Sequence, residues 1–483
     1  MRDAENRIWS REGAVRMRST KARRGAAAFA IVVSASIVLA ACGGSSGGGG
    51  GGGSAGGKAP GLAKAECAPI KSVMTEYGDL SGKHVKVYTS VVAPEDVPQK
   101  NSYKLFESCT GATVDYEGSK EFEAQLVVRV KSGNPPDIAY IPQPGLLKTL
   151  VQTTGKVIEA PKSVVDNVDK WFGEDWKKYG TVDGKFYAPP LDANVKSFVW
   201  YSPKMFADNG WTIPTTWDEM LTLSDTIAAT GIKPWCAGIG SGEATGWPAT
   251  DWLEDVMLRD NGPDVYDQWV AHEIPFNDPK VAAALDRVGG ILKNPKYVNG
   301  GFGDVKSIAT TTFQDGGLPI LDGKCAMHRQ ASFYAANFPA GTKIAEDGGD
   351  VFAFYLPVTN ADQGKPVLGA GNFIAAFRDA PEVQAFQTYL STDTWANEKG
   401  KATPNGGFVS ANKGLDVTNV ASAIDQESVK ILQDPNAVFR FDGSDLMPGA
   451  VGAGSEWKEL TAWITGESTK DALSKIEDSW PAS

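Results

Sequence analysis

Apolar and polar positions alternate along residues 83–92, "KHVKVYTSVV", and again along 112–116, "ATVDY", after a short helical stretch. A period of two with β-branched residues predicts strands. Residues 121–131, "EFEAQLVVRVK", change the period to a helical one, and Gly133-Asn134-Pro135-Pro136 stops the pattern before the short apolar run "DIAYI" at 137–141. The rhythm β, α, β, α, β is that of a sheet covered by helices. Residues 182–202, "VDGKFYAPPLDANVKSFVWYS", place an Asp-Gly turn between β-prone runs and predict a hairpin leading into a long strand. A helix then starts at a capping box: Thr216 stands three residues before Glu219, Leu221 and Ile227 mark its apolar side, and Gly231 ends it. Asp278 followed by Pro279 opens another. Further helices are expected at 380–390 and 468–480, and there is no internal repeat. The pattern is mixed α/β throughout.

The N-terminal segment departs from it. Eight Lys/Arg against three Asp/Glu precede an apolar run at 25–41, the n-region and h-region of a secretory signal. Leu39-Ala40-Ala41-Cys42 has the form of a lipoprotein signal, with cleavage before Cys42 and lipid on its thiol. A run of about seventeen apolar residues is short for a membrane span. Met17 would open a shorter signal, and Arg23-Arg24 leaves the export route, general or twin-arginine, open. The glycine run at 47–53 has no side chains to bury and is expected to be a flexible tether within a linker at 42–66.

About 410 residues follow, enough for two or three lobes with their own cores. The net charge of −11 becomes about −16 once the basic signal is removed, which argues against nucleic acid and anionic lipid surfaces as partners. Cys67, Cys109, Cys236 and Cys325 remain, an even number in an exported chain. Of their three connectivities, Cys67 with Cys109 and Cys236 with Cys325 is favoured because each pair stays within one unit of the chain. No CxxC occurs and His84, His272 and His328 are scattered, so no metal and no cofactor is expected.

Catalytic signatures are absent: there is no GxSxG, HExxH or phosphate-loop motif, and Ser410-Ala-Asn-Lys413 lacks the partners that a penicillin-recognising site needs. Residues 241–255, "SGEATGWPATDWLED", instead set Trp247 and Trp252 beside Thr250, Asp251 and Glu254. An indole offers a flat apolar face and the short polar groups offer acceptors, a combination that suits a sugar ring.

Three stretches together, "FVWYSPKMFADNGWTIPTTWDEM" at 198–220, "FQDGGLPILDGKCAMHRQASF" at 313–333 and "VLGAGNFIAAF" at 367–377, resemble the extracellular solute-binding proteins of carbohydrate ABC transporters, the maltose-binding-like group. Residues 233–252, "KPWCAGIGSGEATGWPATDW", resemble its α-glucoside or oligosaccharide branch. The resemblance implies a two-lobe α/β fold of the type II periplasmic-binding class, with ligand held in the cleft and lobes that close on it. It implies lobe one at 70–198 and 327–370, lobe two at 199–326 and 371–483, and crossings near 199–201, 326–328 and 369–371. In such a fold loops that follow strands would face the cleft, which nominates Glu121 and Gln143 from lobe one as ligand-binding residues. Asp192 follows the hairpin, Trp247 and Asp251 come from lobe two, Arg329, Gln330 and Phe333 lie just past a crossing, Asn372 sits in a Gly-rich crossing, and Phe408 would close one face. A monomer without catalysis is implied, anchored by lipid outside the membrane and delivering carbohydrate to the permease subunits of an ABC importer. A surface glycosidase using two carboxylates, or the same scaffold holding a polyamine or other solute, are the alternatives.

Overall fold

The structure, a computed structural model, describes residues 58–481, residue 435 excepted. The expected signal at 1–41, the lipid carrier Cys42 and the glycine run lie outside these residues. Among the described residues no helix is long and apolar enough to cross a membrane.

The first alternating segments form one sheet in the order 373–376, 138–141, 84–89, 113–118. Strands Ile138–Ile141, His84–Thr89 and Thr113–Gly118 run parallel, and Phe373–Ala376 closes the edge antiparallel. Alternation divides the side chains between two cores. Val85, Val87, Ile138 and Tyr140 meet Phe106, Phe386 and Tyr389 on one face, while Tyr88, Ala139 and Ile141 meet Phe122, Leu126 and Leu147 on the other. Burial on both faces explains why "DIAYI" is apolar at every strand position.

A second sheet has the order 352–355, 198–201, 325–329, 233–235. Its core holds Trp200, Trp235 and Met327 against helices Trp217–Ala229, Trp247–Val270 and Pro279–Leu292. The capping box is formed as expected, the Thr216 hydroxyl accepting from the Glu219 N–H at 3.2 Å. Trp252 belongs to this core, edge-on to Trp235.

The Asp-Gly hairpin is present, with φ of 50° at Asp183 and 76° at Gly184 turning Thr181–Val182 back on Lys185–Phe186. The long strand after it is instead two short ones in different sheets. Asn194–Val195 pairs with Lys365–Ala370, which also pairs with Ala437–Phe441, so these segments make a small third sheet between the lobes. Phe198–Tyr201 belongs to the second sheet. Backbone contact here is close: a Cβ on Gly371 would lie 2.2 Å from the Asp192 carbonyl oxygen.

This topology corrects the expected lobe boundaries. Residues 325–329 and 352–355 pair with 198–201 and lie in lobe two, while residues 373–401 pack on lobe one through Phe373, Phe386 and Trp395. The chain does not cross near 326–328. It passes between lobes at 192–197 and 369–372, then returns between Phe408 in the first core and Ile424 in the second. A strand's own pattern says that it is a strand; its sheet depends on distant partners. The linker expected to run to residue 66 also ends earlier. Ala59 is buried, the Gly61 N–H donates to the Cys109 carbonyl at 2.8 Å, and Cys67 is bonded to Cys109. The second disulfide joins Cys236 to Cys325, with Cα atoms 5.8 Å apart.

Candidate functional site

Between the lobes lies a cleft enclosing about 1340 Å³ of space, open solvent at its mouth included. Its lobe-one wall is built from loops that leave the carboxyl ends of the parallel strands. Glu95 follows the strand His84–Thr89, Lys120 and Glu123 follow Thr113–Gly118, and Gln143 follows Ile138–Ile141. Carboxyl ends of parallel strands are where open α/β sheets hold ligands. Asn194 and Ala370 of the small sheet lie along the floor.

Lobe two contributes an aromatic wall. Trp247 stands edge-on to Phe313, ring centroids 5.0 Å apart, and 6.1 Å from Phe333. Trp457 lies beside them in the lining. The lobe-one wall is polar. Asp192 accepts from the Asn372 backbone N–H at 2.8 Å and from its side-chain amide at 3.0 Å, and Gln143 donates to Glu123 at 3.3 Å. Phe408 and Lys399 complete this wall.

Of the expected residues, Gln143, Asp192, Trp247, Phe333, Asn372 and Phe408 line the cleft together. Asp251 and Arg329 do not. Both are buried beneath the floor, where Arg329 pairs with Asp251 at 3.1 Å and Asp255 at 2.6 Å. Lys196 joins them, bonded to Asp251 at 2.8 Å and to Asp442, with its ammonium 5.3 Å from the centre of the Trp247 ring. The network supports the aromatic wall from below. Gln330 is buried outside the lining, its side-chain oxygen accepting from the Ala331 N–H at 2.8 Å. Glu121 lies outside the lining as well, facing Glu243 of the other lobe; desolvation and that neighbour raise its carboxyl.

The residues that sequence reading missed are largely charged: Glu95, Lys120, Glu123, Lys196, Lys399, Asp442 and Asp445. Glu95 and Glu123 obey the same loop-after-strand rule that nominated Gln143. Phe313 sits in a quoted family stretch, whereas Lys399, inside the helix Asp393–Lys401, carries no local signal. Burial pushes Glu95 and Glu123 up to about 7 and pulls Lys399 down to about 8. Burial raises Asp251 to about 6 against the pull of Lys196 and Arg329. Four polar atoms of the lining, Gln143 Oε1, Asn194 Oδ1, Gln314 Oε1 and Trp457 Nε1, are buried with no hydrogen-bond partner among the described residues. Each faces the cleft lining and can hydrogen-bond to a molecule held there. Among the described residues no group of three His, Cys, Asp or Glu side chains could hold a metal ion.

The arrangement is a receptor's: two walls, a floor of strands crossing between lobes, and polar atoms that face the space between them. Residues 88–397 match the sequence model of the bacterial extracellular solute-binding proteins. The chain belongs to this family. The solute-binding protein is 38% identical over 84% of its length to the osmoprotective compounds-binding protein GgtB of Synechocystis, covering 94% of that relative. It is 37% identical over 83% of its length to the alpha-glucosides-binding periplasmic protein AglE of Rhizobium meliloti, covering 88% of it. Among solved structures, the bacterial solute receptor AcbH superposes with a TM-score of 0.68 at 19% identity, over 82% of this chain and 98% of the receptor. That likeness establishes the two-lobe fold of periplasmic binding proteins, with the strands crossing between lobes at the cleft.

Proposed function

We propose that this solute-binding protein captures a neutral carbohydrate, an α-glucoside or short oligosaccharide, outside the membrane and delivers it to an ABC importer without transforming it. The observation that carries this reading is the pairing of an aromatic wall, Trp247 with Phe313 and Phe333, with an opposing polar wall of Gln143, Asp192 and Asn372, the lining between them holding three acceptors, on Gln143, Asn194 and Gln314, and one donor, on Trp457, that no described residue engages. A sugar presents an apolar ring face to the first and hydroxyls, each both donor and acceptor, to the second. The lining holds five carboxyl groups, Glu95, Glu123, Asp192, Asp442 and Asp445, against three lysines, a mixture of acceptors and donors that suits hydroxyls. The alpha-glucosides named for the relative AglE support the same class. Lipid on Cys42 would hold the protein at the cell surface, as a monomer on its glycine tether.

Thermal unfolding of residues 58–483 with maltose, trehalose, sucrose, raffinose, amino acids and polyamines tests the assignment. A sugar at a hundred times its Kd adds about 2.7 kcal/mol and raises the midpoint by several degrees. Silence for every sugar with a response to polyamines would replace carbohydrate by an amine. Replacement of Cys42 by Ala is expected to release the protein into the medium; retention on the cells would refute the anchor.

A further inference from the structure

Among the described residues the buried side-chain cations are Lys196, Arg259, Arg329 and Lys399. The first three are each ion-paired to aspartate. Lys399 is 6% exposed, lines the cleft, and its ammonium has neither an ion pair nor a hydrogen bond among the described residues. Its near neighbour is the Phe408 ring, 5.7 Å away at the centroid. An ammonium on a largely buried side chain that reaches the cleft without a fixed acceptor can form a charged hydrogen bond to a molecule held there.

The charges that act on Lys399 are Asp192, Glu95 and Asp425, all attractive and all beyond direct contact. Asp425 is occupied, accepting from the Gly407 and Phe408 N–H groups at 3.0 and 3.1 Å. Asp192 and Glu95 line the cleft itself. Glu95 accepts from the Asn337 amide at 3.1 Å on one oxygen, and Asp192 is oriented by Asn372, so each keeps acceptor capacity toward the cleft.

We propose that Lys399, Asp192 and Glu95 form a charged subsite that grips a pair of adjacent hydroxyls on the bound sugar. Each hydroxyl oxygen accepts from the ammonium while its proton is donated to a carboxylate. A carboxylate-bearing ligand would be repelled there by Asp192 and Glu95, an amine by Lys399. The inference rests on the carbohydrate reading above and adds to it the residue that selects a neutral vicinal diol. Lys399 also drops out of the ordinary lysine range, to about 8, so the grip weakens as the ammonium is lost above that pH, with Glu95, Asp192 and Asp425 facing it.

The test is calorimetric titration of wild type, Lys399→Met and Lys399→Gln with maltose, trehalose, sucrose and raffinose, then with monodeoxy derivatives of whichever binds. Hydrogen bonds to a charged group carry enough energy that Lys399→Met is expected to weaken binding on the order of 10- to 100-fold. The variant should also lose the distinction between parent and deoxy sugar that wild type makes, and lose the fall in affinity above pH 8. Without ligand its melting midpoint should hold or rise, because an unpaired buried charge is gone; if Met does not fold, Gln gives the same readouts. A binding sugar whose affinity changes less than threefold in the variants overturns the subsite and leaves the carbohydrate assignment standing. If no sugar binds wild type, both fall together.

Discussion

Trp247 and Asp251 stand four residues apart on one helix and do different work, because a helical turn places one in the cleft and the other under it. Trp247→Ala is expected to cost about tenfold or more in sugar affinity with little loss of stability, since its face is offered to ligand. Comparable affinity in calorimetry would remove it from the site. Asp251→Ala should show the reverse, a loss of about 3–5 kcal/mol in urea unfolding, because Lys196 and Arg329 would be left buried with fewer counter-charges. Both residues belonged to one polar-aromatic stretch of sequence. Arg329 and Gln330 were nominated for lying just past an expected crossing, and only the pairing of their strand within lobe two shows these polar side chains to be buried outside the lining.

Elements were legible where their information is local. The capping box at Thr216, the Asp278-Pro279 start and the Asp-Gly hairpin each form because neighbouring residues satisfy one another's backbone groups. The stretch 194–201 was not, since two short strands and one long strand share the same β-prone pattern; the break at Lys196-Ser197 exists because the halves pair with different sheets. Gly371 belongs to this crossing. Its Cβ would meet the Asp192 carbonyl at 2.2 Å and the Trp176 ring at 3.0 Å. Gly371→Ala should therefore destabilise by about 1–3 kcal/mol and weaken sugar binding by displacing Asp192 and Asn372. An alanine variant with unchanged unfolding midpoint and affinity would show that the crossing yields without cost.

At the scale of the whole molecule, the cleft gathers carboxyls out of water. Glu95, Glu123 and Asp425 are raised to about 7 and Asp251 to about 6, chiefly by burial. An acid raised in the folded state holds protons that the unfolded chain has already released. Its stabilising effect is complete below the ordinary carboxylate range and is lost as pH climbs through the folded values. The ligand-free protein should thus melt higher near pH 5 than at pH 7.5, and Glu95→Gln with Glu123→Gln should flatten that slope. A midpoint that rises across this interval in the absence of sugar would contradict the placement of these groups.

The sequence by itself determined the α/β class, the helix starts, the even set of cysteines, and the aromatic and polar residue types that a sugar receptor needs. Those properties reside in neighbours along the chain or in composition. Only the tertiary structure decided which sheet each strand joins, that residues 373–401 belong to lobe one, and that Lys399 faces the cleft unpaired while Arg329 lies sealed below it. Sheet partners, burial and counter-charges are set by residues far apart along the chain, and no local pattern encodes contacts between such remote positions.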